Sequence, residues 1–204
     1  MTNNNSVRIV YIIGNHPLAN NLIRQYKDND YEVYHHTMID WDSQTPIHCD
    51  ELFLLSDFYN ESNTEADYTA IEELSHIARI INNEGQRVIC HLLIRDHKTY
   101  QKLLSSDFSE TIREKLDVYP LFLDEVWSRT IWLDYEPITK ESKKHAHLVI
   151  FGMNQMAEMV AIQSALVAHY PNFIPDHSKK TCITIIDKHA SLKCNDFIFI
   201  SAFV

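Results

Sequence analysis

The chain has 204 residues, a formal net charge of −10, and 45% hydrophobic and 23% charged residues. This is a globular composition rather than a disordered one, long enough for one large domain or for one domain plus part of another. The acidic balance and scattered basic residues exclude a nucleic-acid partner, because phosphate binding draws its affinity from clustered Lys and Arg.

No apolar run reaches the roughly 18 residues of a membrane-spanning helix, so direct membrane insertion is not expected. Met1-Thr-Asn-Asn-Asn-Ser6 has neither the basic start nor the apolar run of a signal peptide. The four cysteines, Cys49, Cys90, Cys182 and Cys194, form no C-x-x-C pair. Reduced thiols in a cytoplasmic protein are the expectation, with Cys90 and Cys182 inside apolar strand patterns as inert core thiols.

Val7 to Ile13 is a near-continuous apolar run, as in a strand covered on both faces of a parallel sheet. Gly14-Asn-His follows, with Pro17 at a plausible first helical position. Leu18, Leu22 and Tyr26 then recur at helical spacing. Tyr31 to His36 reads as a second strand and Glu51 to Leu55 as a third. Thr64 to Asn82 is a strong helix with Ile71, Leu74, Ala78 and Ile81 on one face and Gly85 just past its end. Arg87 to Ile94 reads as a fourth strand, residues 97 to 116 as short helical or irregular structure, and Val118 to Leu123 as a fifth strand. Pro120 points to an edge or bulge position in that strand.

Residues 136 to 146, polar and lysine-rich, read as a linker. The pattern then restarts: a strand over 147–151, Gly152, a helix over about 155–169, and a strand from Thr181 to Ile186 ending in Asp187. The methionines Met156 and Met159 share a helix face with Val160, Gln163 and Val167 and are expected in the core. A last apolar run, Phe197 to Val204, must pair inside a sheet. This order predicts an α/β protein. A first Rossmann-like open parallel sheet with helices on both faces spans 1–135, and a second, short or truncated βαβ unit spans 147–204.

Only three glycines occur, and two of them, Gly14 and Gly152, end a strand and precede a helix. The dinucleotide fingerprint G-x-G-x-x-G uses one glycine for the turn, one for close approach of the pyrophosphate and one for helix–strand packing. Here the three positions hold Gly14, His16 and Ala19 in the first copy, and Gly152, Asn154 and Ala157 in the second. Alanine at the third position is a normal variant. A side chain at the second position lies where the pyrophosphate would sit, although His16 or Asn154 could still bond a phosphate from one side. The acidic residue that holds ribose hydroxyls should end the second strand of the unit. Asp187 does so in the second copy; in the first, His36 stands at that depth and Asp40 follows. His35 and His36 point to opposite sheet faces, so one metal cannot use both. His145 and His147 point the same way without a nearby third ligand. No metal site and no catalytic nucleophile emerge.

The run Val149-Ile-Phe-Gly-Met-Asn-Gln-Met-Ala-Glu-Met-Val-Ala161, followed by Ile183-Thr-Ile-Ile-Asp187, resembles the nucleotide-binding domain of the Trk/RCK potassium-transport regulators. Val88 to His97 and Leu121 to Trp127 resemble its tandem form, which in some bacterial proteins precedes ryanodine-receptor-type domains. The resemblance implies a non-catalytic regulatory module, not an enzyme, with NAD(H) or an adenine nucleotide as effector. By position the site residues would be Gly152, Asn154, Gln155, Ala157 and Asp187, and in the first copy Gly14, Asn15, His16 and Ala19. A homodimer, and a membrane transporter, channel subunit or downstream regulatory domain as partner, are the further expectations. The alternatives are a scaffold that has lost its nucleotide and, less favoured, a nicotinamide-dependent oxidoreductase. For the latter, Tyr100 and Lys102 lack the spacing of four that a Tyr-Lys pair commonly uses.

Overall fold

A computed structural model of the chain describes residues 7–38, 46–55, 63–83, 85–105, 107–134, 145–166, 176–179 and 182–188. The chain divides into two compact units, Met1–Phe122 and Leu123–Val204.

In the first unit the strands are β1 (Ile9–Ile13), β2 (Glu32–His36), β3 (Glu51–Leu54), β4 (Val88–Ile94) and β5 (Leu116–Phe122). They form one parallel sheet in the order β2-β1-β3-β4-β5. This is a doubly wound, Rossmann-like α/β architecture, as the alternation of strand and helix patterns predicts. The inner strands carry continuous apolar runs because both faces are covered: Val10, Ile12, Leu52, Leu54, Cys90 and Leu92 are all fully or almost fully buried.

One face packs on α2 (Asn63–Ile80) and α4 (Glu110–Lys115). Leu74 and Ala78 of α2 are wholly buried there, as the helical stripe predicts, and so is Ile77, which the stripe did not include. Each buried Leu or Ile contributes about 2 kcal/mol relative to exposure. The opposite face meets α1 (Leu18–Lys27), where Tyr26 packs edge-on against Phe53 at 5.6 Å. Pro17 stands one residue before α1, in helical conformation.

Residues 97 to 115 are more regular than the sequence suggests, forming α3 (His97–Leu104) and α4. Asp96 caps α3, its carboxylate accepting from the Thr99 N–H at 2.8 Å and hydroxyl at 2.9 Å. β5 is an edge strand of the described sheet, where Pro120 is expected. Gly85, at φ 88°, stands five residues beyond the end of α2 at Ile80, so it marks the turn before β4 and does not cap the helix as expected.

In the second unit, α5 (Leu123–Asp134) packs on α6 (Gln155–Leu166), and β6 (His147–Phe151) pairs in parallel with β7 (Cys182–Ile186). The sequence offers Asp124 and Glu125 as helix-start acids but does not define the extent of the helix they begin. Its periodicity is obscured because Val126, Trp127, Ile131 and Leu133 stay exposed while Ser128 is the buried residue. Asp124 and Glu125 stand in the first turn of α5, as helix-start acids.

Met159 of α6 is buried, as expected of a core methionine. Cys182 corrects the reading of a core thiol: it is exposed. β7 alternates, with Cys182, Thr184 and Ile186 exposed and Ile183 and Ile185 half-buried, so the strand is covered on one face only. Cys49 and Cys90 are buried, and burial pushes the Cys49 thiol up to about 12. The lysine-rich part of the linker, Asp40, Cys194 and the run from Phe197 to Val204 lie outside the described residues. No helix among the described residues is long and apolar enough to cross a membrane.

Candidate functional site

The two β-turn-α-β units share the backbone hydrogen bonds at both ends of their paired strands. The glycine N–H donates to the carbonyl of the last residue of the next strand, Gly14 to His36 at 2.8 Å and Gly152 to Ile186 at 2.9 Å. At the opposite end, Glu32 N–H donates to Arg8 and Cys182 N–H donates to Ala146, each at 2.9 Å. The internal repeat is therefore a structural one.

In the first turn, Gly14 has φ 118° and a Cβ there would lie 2.1 Å from the Leu55 carbonyl oxygen. Only glycine lets the chain leaving β1 pass over the end of β3. The Gly14 carbonyl accepts from His35 Nε2 at 3.0 Å, so the residue before His36 ties β2 to the turn. His36 stacks on Tyr11 at 5.9 Å. The side chain at the second fingerprint position turns inward: His16 Nδ1 accepts from the Leu18 N–H at 3.1 Å, and its carbonyl accepts from Ala19 N–H at 2.9 Å. Ala19, at the third position, is buried as helix–strand packing requires. Burial, and then the field of Arg95, hold the His16 imidazole below its ordinary pKa. A neutral ring thus occupies an amide that would otherwise face a phosphate.

Beside this turn lies a cavity of about 180 Å³ lined by Gly14, Asn15, Thr37, Met38, Leu55, Ala66, Thr69, Ala70 and Glu73. β1 is flanked by β2 on one side and β3 on the other, so successive connections leave it in opposite directions. Ligands of open α/β sheets bind in the crevice that this reversal opens at the carboxyl ends of the strands. Gly14, Thr37 and Leu55 stand directly at or after those ends, and the first turns of α2 form the far wall. The volume is below the 300–1,000 Å³ usual for drug-sized ligands.

A carboxylate missed in the sequence braces that wall. Asp67, wholly buried in α2, accepts from the Arg95 N–H at 2.8 Å and the Asp96 N–H at 2.7 Å just beyond β4. Burial raises its pKa, against the two backbone bonds. The signal that could have found it is its spacing: Asp67 lies four residues before Ile71, in line with the apolar stripe of α2, whereas Glu65 and Glu72 lie off that stripe. A second missed contact is Glu51 Oε1 with His91 Nε2, 2.7 Å apart on neighbouring strands. Tyr100 stacks on Phe122 at 5.4 Å, packed in the first unit rather than at the crevice.

The second turn is closed by its own side chains. Asn154 Oδ1 accepts from the Ala157 N–H at 2.9 Å, an N-cap for α6. Asp187 Oδ2 accepts from the Met153 N–H at 2.8 Å, so the residue expected to hold a ribose holds the turn itself. Gln155 Nε2 donates to Asp124 Oδ2 at 2.8 Å, joining α6 to α5. Gly152, at φ 79°, would meet nothing within 4 Å if it carried a Cβ. Gly152, Asn154, Gln155, Ala157 and Asp187 are thus brought together, but the amides of Met153 and Ala157 face internal acceptors. His147 Nε2 lies 2.8 Å from the Thr184 hydroxyl, a cross-strand pair. No group of three His, Cys, Asp or Glu suited to a metal ion occurs among the described residues.

Comparison with family models, with curated proteins and with solved structures found no match to this chain.

Proposed function

We propose that the chain is a non-catalytic, ligand-responsive regulatory module of the nucleotide-sensing type, and that its working site is the switch-point crevice of the first unit. The observation that carries this reading is the cavity bounded by Gly14, Thr37, Leu55 and Thr69, at the one place in the sheet where connections reverse. Following the resemblance to potassium-transport regulators, the module would act as a homodimer on a transporter, channel subunit or downstream domain, with an adenine nucleotide or NAD(H) as the effector class. The second unit, with Asn154 and Asp187 engaged by its own backbone, serves as structure in this reading.

A melting panel with adenosine, AMP, ADP, ATP, NAD and NADH tests it. A ligand at 100 times its Kd adds about 2.7 kcal/mol, a rise of about 5–10 °C for a chain of this size. A crevice-filling Thr69→Phe variant should melt like the wild type and lose the rise. A flat response across the panel would instead favour a scaffold acting by protein–protein contacts, the reading supported by the two self-capped turns.

A further inference from the structure

We infer that the chain pairs with a second copy of itself through the open edge of β2, strand against strand and antiparallel, across a two-fold axis at Tyr34. This rests on the homodimer of the proposed reading, and it names the surface that makes it.

The two edges of the described five-stranded sheet, β2 and β5, differ in how they receive a new strand. β5 holds Pro120, which has no N–H to give to a ladder. β2 has no Pro, Lys or Arg, and its register with β1 runs from Ile9↔Glu32 to Ile13↔His36 without a bulge. It therefore lacks most of the devices that keep an edge from pairing. The Glu32 N–H donates to the Arg8 carbonyl, and the His36 carbonyl accepts from the Gly14 N–H. Residues 32, 34 and 36 thus turn their backbone groups toward β1. Because these groups alternate along a strand, the N–H and C=O of Val33 and His35 point outward. Among the described residues no strand lies beyond them, and Glu32, Tyr34, His35 and His36 are exposed.

The side chains of β2 are complementary to themselves when the strand is reversed. A two-fold axis at Tyr34 sets Val33 opposite the second copy's residue 35, and the outward backbone groups of the two exchange both bonds. Glu32, Tyr34 and His36 share one face of the sheet: the Tyr34 hydroxyl donates to Glu32 Oε1, and Tyr11 stacks on Tyr34 at 4.9 Å and on His36 at 5.9 Å. In this register they form the non-hydrogen-bonded pairs, whose side chains approach most closely. Tyr34 meets its own copy, and on each side of it a Glu32 carboxylate meets a His36 imidazole. The Tyr34 hydroxyl takes only part of the acceptor capacity of Glu32, which leaves lone pairs for an imidazole N–H. Stacking on Tyr11 orders Tyr34 and His36 before association, which lowers the entropy lost on pairing. A slip of two residues in register removes both Glu–His contacts, so charge also fixes the alignment.

The test is sedimentation of the full chain over a concentration series, with light scattering for mass. The wild type should show twice its chain mass of 23.9 kDa. His36→Glu sets two carboxylates opposite each other, and Glu32→Lys sets an ammonium against the imidazole. Each should weaken the dimer about tenfold, since the unfavourable cross-strand pair occurs twice by symmetry. The double variant, Glu32→Lys with His36→Glu, restores opposite charges across the axis and should return to within about threefold of the wild type. Val33→Pro removes an outward donor, spares the bonds to β1 and should give the monomer mass; circular dichroism melts confirm that each variant is folded. If Val33→Pro does not fold, the charge swap decides alone. A double variant no tighter than the single ones, or a dimer that none of the variants weakens, would overturn the inference and leave the homodimer standing on another surface. A wild type of monomer mass would overturn the interface and the homodimer together, with the ligand reading still judged by the melting panel.

Discussion

The turn at Gly14 and the turn at Gly152 share one hydrogen-bond plan and differ in what surrounds it. Gly14 is pressed against the Leu55 carbonyl, with a missing Cβ 2.1 Å from the oxygen; Gly152 has open space on that side. The first turn sits in the interior of a five-stranded sheet, the second on a described sheet of two strands. The same local sequence pattern therefore yields a buried crossing in one case and an exposed cap in the other. Among the described residues, a cavity is seen beside the first turn. A glycine-ended strand with a following helix specifies the turn; neighbouring strands decide whether the turn borders a site.

Substitution of the two glycines is the strongest way to break the comparison. Gly14→Ala should destabilise by at least about 4 kcal/mol, since backbone would have to shift to accept the methyl. Gly152→Ala should cost only about 1–2 kcal/mol, the strain of a left-handed residue. Chemical denaturation of the two variants measures the difference, and equal losses would show that the two turns have the same surroundings.

The caps come next. Asn154→Ala removes the N-cap of α6 and should cost about 1 kcal/mol, whereas Asn154→Gly should cost only a few tenths. If the glycine variant also gains binding of inorganic phosphate or NAD, the second turn was closed by Asn154 alone; if it does not, Asp187 and the fold around it close the turn too.

The smallest effect concerns pH. Folding lowers the pKa of His16, so between the folded value and the unfolded value of about 6.5 the unfolded chain binds more protons. Stability due to His16 is therefore present above pH 6.5 and is lost as pH falls through that window. His16→Asn keeps an acceptor for Leu18 N–H without titrating, and its stability profile should be flatter than that of the wild type between pH 5 and 7. Parallel profiles would remove His16 from the account.

Much of this was legible in the residues. The apolar runs at 7–13, 87–94 and 147–151 become strands because their lengths and flanking glycines suit no other element, and Ile71 to Ile81 lies on a covered helix face. The lone glycines mark real strand-to-helix junctions. What the pattern could not convey was three-dimensional. The turn of His16 and Asn154 back onto amides two and three residues later depends on side-chain rotamers. The engagement of Asp187 by Met153 depends on register between strands far apart in sequence. Thr37, Thr69 and Glu73 share a crevice only because β1 lies between β2 and β3. The start of α5 was legible in Asp124 and Glu125, but its extent was not, because a half-exposed helix keeps apolar residues on its outer side as well.

Asp67 has a mechanical consequence. By clamping two amides beyond β4, it makes the first turns of α2 and the start of α3 a single stiff brace. Any molecule wedged against Thr69 and Glu73 would push on that brace as a lever rather than on a loop, and its displacement would emerge at α3, which packs on the same core as α2.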